Sequence, residues 1–551
     1  MKVQPRVIGW LLALATVVTV TINQRDVGIA RDEVVYFSAG THYADWWLGL
    51  VTFDHGFGGD RIKRTFEENH EHPPLMKTLS GLSHRVLHDK LGIAGELTAF
   101  RFPAAVLHGV LVLLVFTMAL SLWGLAEAVI AALCLLLLPR ALFHAGLACF
   151  DAPIMTLWFA TVYAYWRALV TNAKWPWRVG VVFGLALATK HNAFLLPFAL
   201  GLHYLVVAWR AGKWRGLVQF RPRVIISLAV LGPLTLFVVW PWLWLEPIGH
   251  VQEWLKFHMT HVHYNYEYLG HNWNAPRFPW HVALVTTLLT IPVATLAASA
   301  LGAGVWIARR KTAALEHAPV LLLVLSAGAS LGPFFLGSTP IFGAEKHWMP
   351  ALPTICIAAG VGAVWAARRA ASYLAALRPI GEAVAHLPRS IPLHDRIAVG
   401  LVASTLVLAA ATETFTAQPY ALTGYNALAG GAPGGADLGM NRQFWGVAAR
   451  GVLPEIAKQP PARVYSHDAS PAWGWYEKLG LLPSGYPDAG WEGSGIAQSG
   501  LALVIHEKHF NRHDYLIWNA YGTVQPIYVL RADGVPIVSL YRRSVSVPPN
   551  K

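Results

Sequence analysis

The stretch Val179–Trp209, VGVVFGLALATKHNAFLLPFALGLHYLVVAW, decides how the chain is laid out. As one helix it would run about 46 Å at 1.5 Å per residue, too long for a hydrocarbon core of roughly 30 Å. Two short spans turning near Lys190 fit it better. That reading keeps the basic cluster Arg210–Arg223 on the same side as the other basic loops, whereas a single span would invert every later loop.

Working outward, apolar segments of about spanning length recur at 7–22, 103–122, 125–142, 150–166, 179–192, 193–209, 224–245, 279–306, 318–336, 347–367 and 397–412, which makes about eleven. The composition agrees. Of 551 residues, 55% are hydrophobic and only 13% charged, far outside the range of soluble globular chains. The expected fold is a polytopic α-helical membrane protein in which residues 1–412 form the multi-span domain and 413–551 a small α/β domain outside the membrane.

A formal charge of +13 invites a nucleic-acid partner, but the basic residues do not form one face or stripe. They sit between spans: Lys2 and Arg6; Arg167, Lys174 and Arg178; Arg210–Arg223; Arg309, Arg310 and Lys311; Arg368, Arg369 and Arg378. This is the positive-inside pattern with a cytoplasmic N-terminus, and nucleic acid is excluded. Lys2 and Arg6 precede an apolar run without a clear small-residue cleavage site, so the run reads as a retained first span rather than a signal peptide. Cys134, Cys149 and Cys356 lie in or beside apolar spans, without metal-ligand spacing, and read as packing residues.

Three segments then face outward: a long first loop over 23–101, a second over 246–278, and the tail. The tail carries short strand-like runs at Arg463–Ser466, Leu501–His506 and Ile527–Leu530, and an Ala532-Asp533-Gly534 turn leading to Val535–Tyr541.

Charge at these outer mouths is where chemistry is expected. Asp32-Glu33 follows the first span; a carboxylate there suits general-base work, and equally suits the positive end of a helix. His72-Pro73-Pro74-Leu75-Met76-Lys77 makes a rigid corner that would position Lys77, or simply joins a loop to a helix. Arg101 stands at the mouth of the second span as a phosphate fork or an interfacial anchor. Asp151 opens the fourth span and Lys190 sits at the turn of the hairpin, both costly places for charge. Glu345-Lys346-His347-Trp348 precedes the tenth span as a further phosphate or sugar contact. His258, His261, His263 and His271 lie among aromatics; their spacing suits an interfacial amphipathic stretch better than a zinc site.

In this order, Asp32-Glu33, His72-Pro73-Pro74-Leu75 with Lys77, Arg101, Asp151, Lys190 and His347 resemble the protein O-mannosyltransferases and their bacterial relatives, the aminoarabinose transferases of lipid A, within the C-type glycosyltransferase superfamily. The resemblance covers most of the membrane portion. Tyr425-Asn426, Gly430-Gly431 and Phe444-Trp445-Gly446 resemble the tails of the bacterial members, and no repeated β-trefoil pattern is evident.

The resemblance implies an inverting transferase with a polyprenyl- or dolichyl-phosphate sugar as donor. Asp32 is then the base and Glu33 orients it or the acceptor. Arg101 and Lys190, with Lys77 or His347, stabilise the departing phosphate, and no metal or cofactor is called for. The acceptor is a protein, a glycolipid or a polysaccharide, and the location is the bacterial inner membrane with the tail extracytoplasmic. A transporter or flippase could line a path with the same charges, and a noncatalytic binder of lipid-linked sugar could keep the same fold. Charges gathered at one surface, and the retained Asp32-Glu33 pair, favour catalysis.

Overall fold

The computed structural model describes residues 4–261, 263, 265–309, 317–341, 343–377, 393–507 and 511–544. Lys2, Arg310, Lys311 and Arg378, counted above among the inner-side cations, lie outside the described residues. The molecule is predominantly helical, and helix occupies each of the apolar segments read from the sequence. Five helices are long and apolar enough to cross a membrane: Pro5–Asn23, Glu96–Leu122, His191–Leu217, Met349–Tyr373 and Asp395–Ala417. Two bent pairs raise that number to at most 7, and Trp177–Leu187, Arg223–Val239 and Pro319–Phe335 are shorter apolar helices. The expected eleven full-length spans are therefore a mixture of long, bent and short helices.

Local chemistry explains the breaks. Leu125–Leu136 and Pro139–Ala145 meet at 68°, and Val282–Thr290 and Val293–Ala308 at 120°. Proline stands at each bend, Pro139 in the first and Pro292 in the second, and cannot continue the preceding hydrogen-bond ladder. The break in Val179–Trp209 falls at Lys190, whose backbone is extended at φ −157°, ψ 142° between Trp177–Leu187 and the 3₁₀ turn His191–Leu195. Close crossings depend on small residues: a Cβ on Gly302 would lie 1.9 Å from the Ala358 carbonyl oxygen, and one on Gly362 1.9 Å from that of Ala298. Apolar side chains such as Trp10, Leu11 and Leu14 on the first helix, and Leu401 and Leu408 on the last, point outward, as lipid-facing surfaces require.

The first outer loop is mostly helical. It contains Arg31–Val51, Gly59–Phe66 and Leu75–Ser83, followed by a π-helical segment His84–Lys90. Arg31–Val51 crosses Leu75–Ser83 so closely that a Cβ on Gly81 would come within 1.9 Å of the Gly40 carbonyl oxygen. The second loop is helix Pro247–Met259 followed by a small hairpin, Tyr266–Tyr268 against His271–Trp273. The expected amphipathic stretch over 258–277 therefore ends as helix at Met259, and Gly270 with φ 78° supplies the turn.

In the tail, strands run in the order Val464–Tyr465, Leu501–Ile505, Val535–Arg542, Tyr528–Ala532; the first pair is parallel and the others antiparallel. Asp533 and Gly534, both with positive φ, make the turn read from the sequence. The tail packs on the first loop, where the Ile29 N–H donates to the Tyr476 hydroxyl at 3.0 Å and Phe37 stacks between Phe100 and Trp475.

One buried ion pair ties the loop to the membrane helices. Arg101 Nε and Nη2 donate to the two oxygens of Glu33 at 2.8 and 2.6 Å, and both side chains are fully buried. Removing one partner leaves an uncompensated charge, a loss of about 3–5 kcal/mol. Glu33→Gln and Arg101→Ala should each lower the thermal unfolding midpoint of the protein in lipid by many degrees; a melt unchanged from the wild type would contradict this role for the pair.

Candidate active site

The Glu33 carboxylate fixes the chain on which Asp32 sits. It accepts the Ala30 N–H at 2.9 Å, closing the start of helix Arg31–Val51, and the Ala148 N–H at 2.8 Å from the far side. Arg101 gives its other N–H groups to the carbonyls of Gln24, Val27 and Gly28 at 2.6–3.2 Å. All five guanidinium donors are thus engaged. The helix-capping and functional readings of Asp32-Glu33 divide between the two residues: Glu33 caps and braces, while Asp32, one position earlier, faces a cavity.

That cavity has a volume of about 600 Å³. Asp32, Asp151, Lys190 and His347 line it, and Glu33, Lys77 and Arg101 do not. The expectation that Arg101 and Lys77 meet a departing phosphate is corrected. Arg101 has no donor left to give, and the Lys77 ammonium is buried in the loop, donating to the carbonyls of Asn69 and His72 at 2.6 and 2.8 Å and to Asn69 Oδ1 at 3.1 Å. Lys77 holds the Pro73-Pro74 corner together from inside.

The lining residues come from distant parts of the chain. Asp32 Oδ2 accepts the indole N–H of Trp445, from the tail, at 2.9 Å. Lys190 Nζ donates to Asp151 Oδ1 at 2.6 Å, joining the break in Val179–Trp209 to the start of helix Asp151–Val170. Lys346, at the short turn Ala344–His347, lies over the rings of Trp445 and Phe444 at 4.1 and 4.3 Å. Its neighbour Glu345 is clamped from behind by Arg140 at 2.6 Å, which fixes the turn. Sequence reading carried His347 from this turn into the site and weighed Lys346 only as its neighbour; the structure places Lys346 on the wall with His347, together with Trp445 and Phe444 from the tail.

Burial sets the charge states. The Lys346 amine is pushed down to about 8, because desolvation outweighs the pull of Asp151 and Asp32. His72 falls well below the usual histidine range, from burial and the nearby Lys77, and His258 is pushed down to about 4 by burial. Those two histidines stay neutral at pH 7, so the charged groups on the wall include Lys190, Lys346 and Arg31 against Asp32, Asp151 and Glu71. Behind Asp32, Arg31 pairs with Asp468 at 2.8 Å, and burial raises the Asp468 carboxyl to about 6. The remaining walls include Trp158, Phe194, Phe257 and Phe334. Of the His258–His271 group, His258 and His261 reach the cavity. Such a site, with a positioned carboxylate, two ammonium groups and apolar walls, suits an anionic head carried on an apolar chain beside an acceptor hydroxyl.

Fold and site together define a multi-pass membrane protein that resembles the C-type glycosyltransferases. Residues 71–242 match the family model of the dolichyl-phosphate-mannose-protein mannosyltransferases. No curated protein sequence matches the chain. The crystal structure of ArnT from Cupriavidus metallidurans bound to undecaprenyl phosphate is similar over 98% of this chain and 99% of that one, at 16% identity and a TM-score of 0.51. The apo form of the same protein is similar over 98% of each chain, at 15% identity and a TM-score of 0.52. At such identities the likeness is one of fold.

The Lys77 amine is held down to about 7 by burial, against the upward pull of Glu71 and Glu68. Its ordinary value of 10.5 applies in the unfolded chain, which therefore binds more protons between pH 7 and 10, so folding stability rises with pH across that window. The slope from this one group is at most about 1.4 kcal/mol per pH unit. In Lys77→Met this contribution should vanish, seen as a flatter dependence of the unfolding midpoint on pH than in the wild type; parallel curves would show that Lys77 stays charged when folded.

Proposed function

We propose that this protein is an inverting glycosyltransferase that moves a sugar from a polyprenyl-phosphate donor to an acceptor hydroxyl at the outer face of a bacterial inner membrane. The observation that carries the reading is Asp32, held by the Trp445 indole N–H, facing a cavity shared with Lys346 and Lys190. Support comes from the family match over 71–242, and from the bound undecaprenyl phosphate of a protein with the same fold. The eleven-span topology, with a cytoplasmic N-terminus and an extracytoplasmic tail, belongs to the same proposal and is supported by the basic residues between apolar segments.

In this mechanism, the Asp32 carboxylate takes the acceptor hydroxyl proton as that oxygen forms its bond to the anomeric carbon. The bond from that carbon to the phosphate oxygen breaks in the same step, and its electron pair leaves with the polyprenyl phosphate. Lys190 and Lys346 meet the charge that develops there, with His347 at the same wall. Asp151 orients Lys190, and the rings of Phe444 and Trp445 hold Lys346, so neither cation needs to reorganise during transfer. The apolar walls take the first isoprene units. A mannose-like sugar fits the matched family, and the acceptor is a protein, glycolipid or polysaccharide hydroxyl.

Purified protein in lipid, given radiolabelled polyprenyl-phosphate mannose and a cell-envelope extract, should release or transfer the sugar. Asp32→Asn should cut that rate by about 10²–10⁴-fold while retaining donor binding. Full activity in the variant would remove Asp32 from the base role.

The phosphate contact is tested by pH. Lys346 is charged below about 8 and neutral above, so affinity for the donor falls as pH rises through that value. Lys346→Arg keeps its charge throughout. The alkaline fall in kcat/KM should disappear or move upward in this variant; an identical fall would assign it to another group.

A further inference from the structure

Away from the cavity, the π-helical segment His84–Lys90 continues directly from helix Leu75–Ser83. Its i→i+5 repeat stacks Asp89 over His84 and keeps His88 beside them. His84 is buried against Phe100, ring centroids 4.2 Å apart, and among the described residues neither of its ring nitrogens has a hydrogen-bond partner. Two carboxylates stand just beyond bonding range: Asp89 Oδ2 lies 3.6 Å from Nδ1, and Glu96 Oε1 3.5 Å from Nε2.

A buried imidazole with no direct partner is costly, and the spacing suggests what joins these groups. Two donors bound to one tetrahedral zinc ion at 2.0–2.2 Å sit roughly 3.3–3.5 Å apart. One ligand atom from each of His84, His88 and Asp89 lies within 4.8 Å of the others.

The surrounding contacts are those that orient metal ligands. His88 Nδ1 bonds the Ala94 carbonyl at 3.0 Å, which leaves the Nε2 lone pair available. Arg85 donates to Asp89 Oδ2 at 2.7 Å, and Lys478, from the tail, holds Glu96 at 2.5 Å beside His84. None of the three ligand residues lines the cavity.

We propose that His84, His88 and Asp89 form a site for a divalent transition cation of the zinc type, with water completing the tetrahedron. Two imidazoles and one carboxylate favour such an ion over magnesium or calcium, which prefer all-oxygen shells. The ion cross-links the π-helical turn within itself, and the other ring nitrogen of His84 faces Glu96, at the start of helix Glu96–Leu122, at 3.5 Å. The metal-free reading of the sequence weighed the three cysteines and the 258–271 histidines, and this site lies elsewhere.

The test uses the full-length protein without an affinity tag, in lipid nanodiscs, equilibrated with micromolar Zn²⁺ and then analysed for bound zinc. His88 is half-buried and Asp89 exposed, so His88→Ala and Asp89→Asn should both fold. Each should hold one zinc ion per chain fewer than the wild type and lose the zinc-dependent rise in melting midpoint, while His88→Cys, which keeps a ligand, should retain both. Zinc content equal to the wild type in both variants, or no bound zinc in the wild type, would overturn the site.

Discussion

Everything at the candidate site hangs on the Arg101–Glu33 pair. A fully buried guanidinium and carboxylate are expensive to desolvate, and the cost is offset here by completing every hydrogen bond either group can make with nearby backbone. The carbonyls that accept from Arg101 lie at 24–28 and the Ala30 N–H donates to Glu33, so most of those bonds fall on the link between the first membrane helix and helix Arg31–Val51. The pair therefore converts a loop into a rigid shelf. Asp32 stands on it, and its carboxylate can be aimed by a single further contact, the Trp445 indole. Two neighbouring acids thus divide the labour, one stabilising the shelf and the other facing the cavity.

The cavity shows how burial can select charge. Water is largely replaced by aromatic and aliphatic walls, so each ionisable group must find a partner or give up its charge. His72 and His258 give it up. Lys190 keeps an aspartate at 2.6 Å, and Lys346 rests on two aromatic faces within reach of the field of Asp32 and Asp151. A phosphodiester anion entering such a site would favour the charged form of Lys346, so ligand and lysine would stabilise each other.

What could be read from the sequence follows from what is local. Apolar runs, the Lys190 break and the Asp533-Gly534 turn are each set by neighbouring residues, and the structure has helix, break and turn there; the bends at Pro139 and Pro292 fall inside stretches read as single spans. Charged residues at the mouths of spans were also legible, since charge there is costly. Their roles were not. Arg101 and Lys77 look like phosphate ligands until their donors are counted: Glu33, Asn69 and a set of backbone carbonyls use them, and the carbonyls are invisible to any motif. Lys346 was weighed alongside His347, but the aromatic rings that hold it come from the tail.

That last point bears on how the site is assembled. Trp445 and Asp32 are 413 positions apart, and Arg31 reaches Asp468 across a similar distance. The carboxylate therefore acquires its orientation only once the tail has packed onto the first loop. Before that, Asp32 is a helix-end carboxylate exposed to water, and Lys346 lacks the rings that hold it. On the proposed mechanism, the base and the phosphate contact both depend on the tail, which would then be part of the site rather than an appendage to a membrane domain.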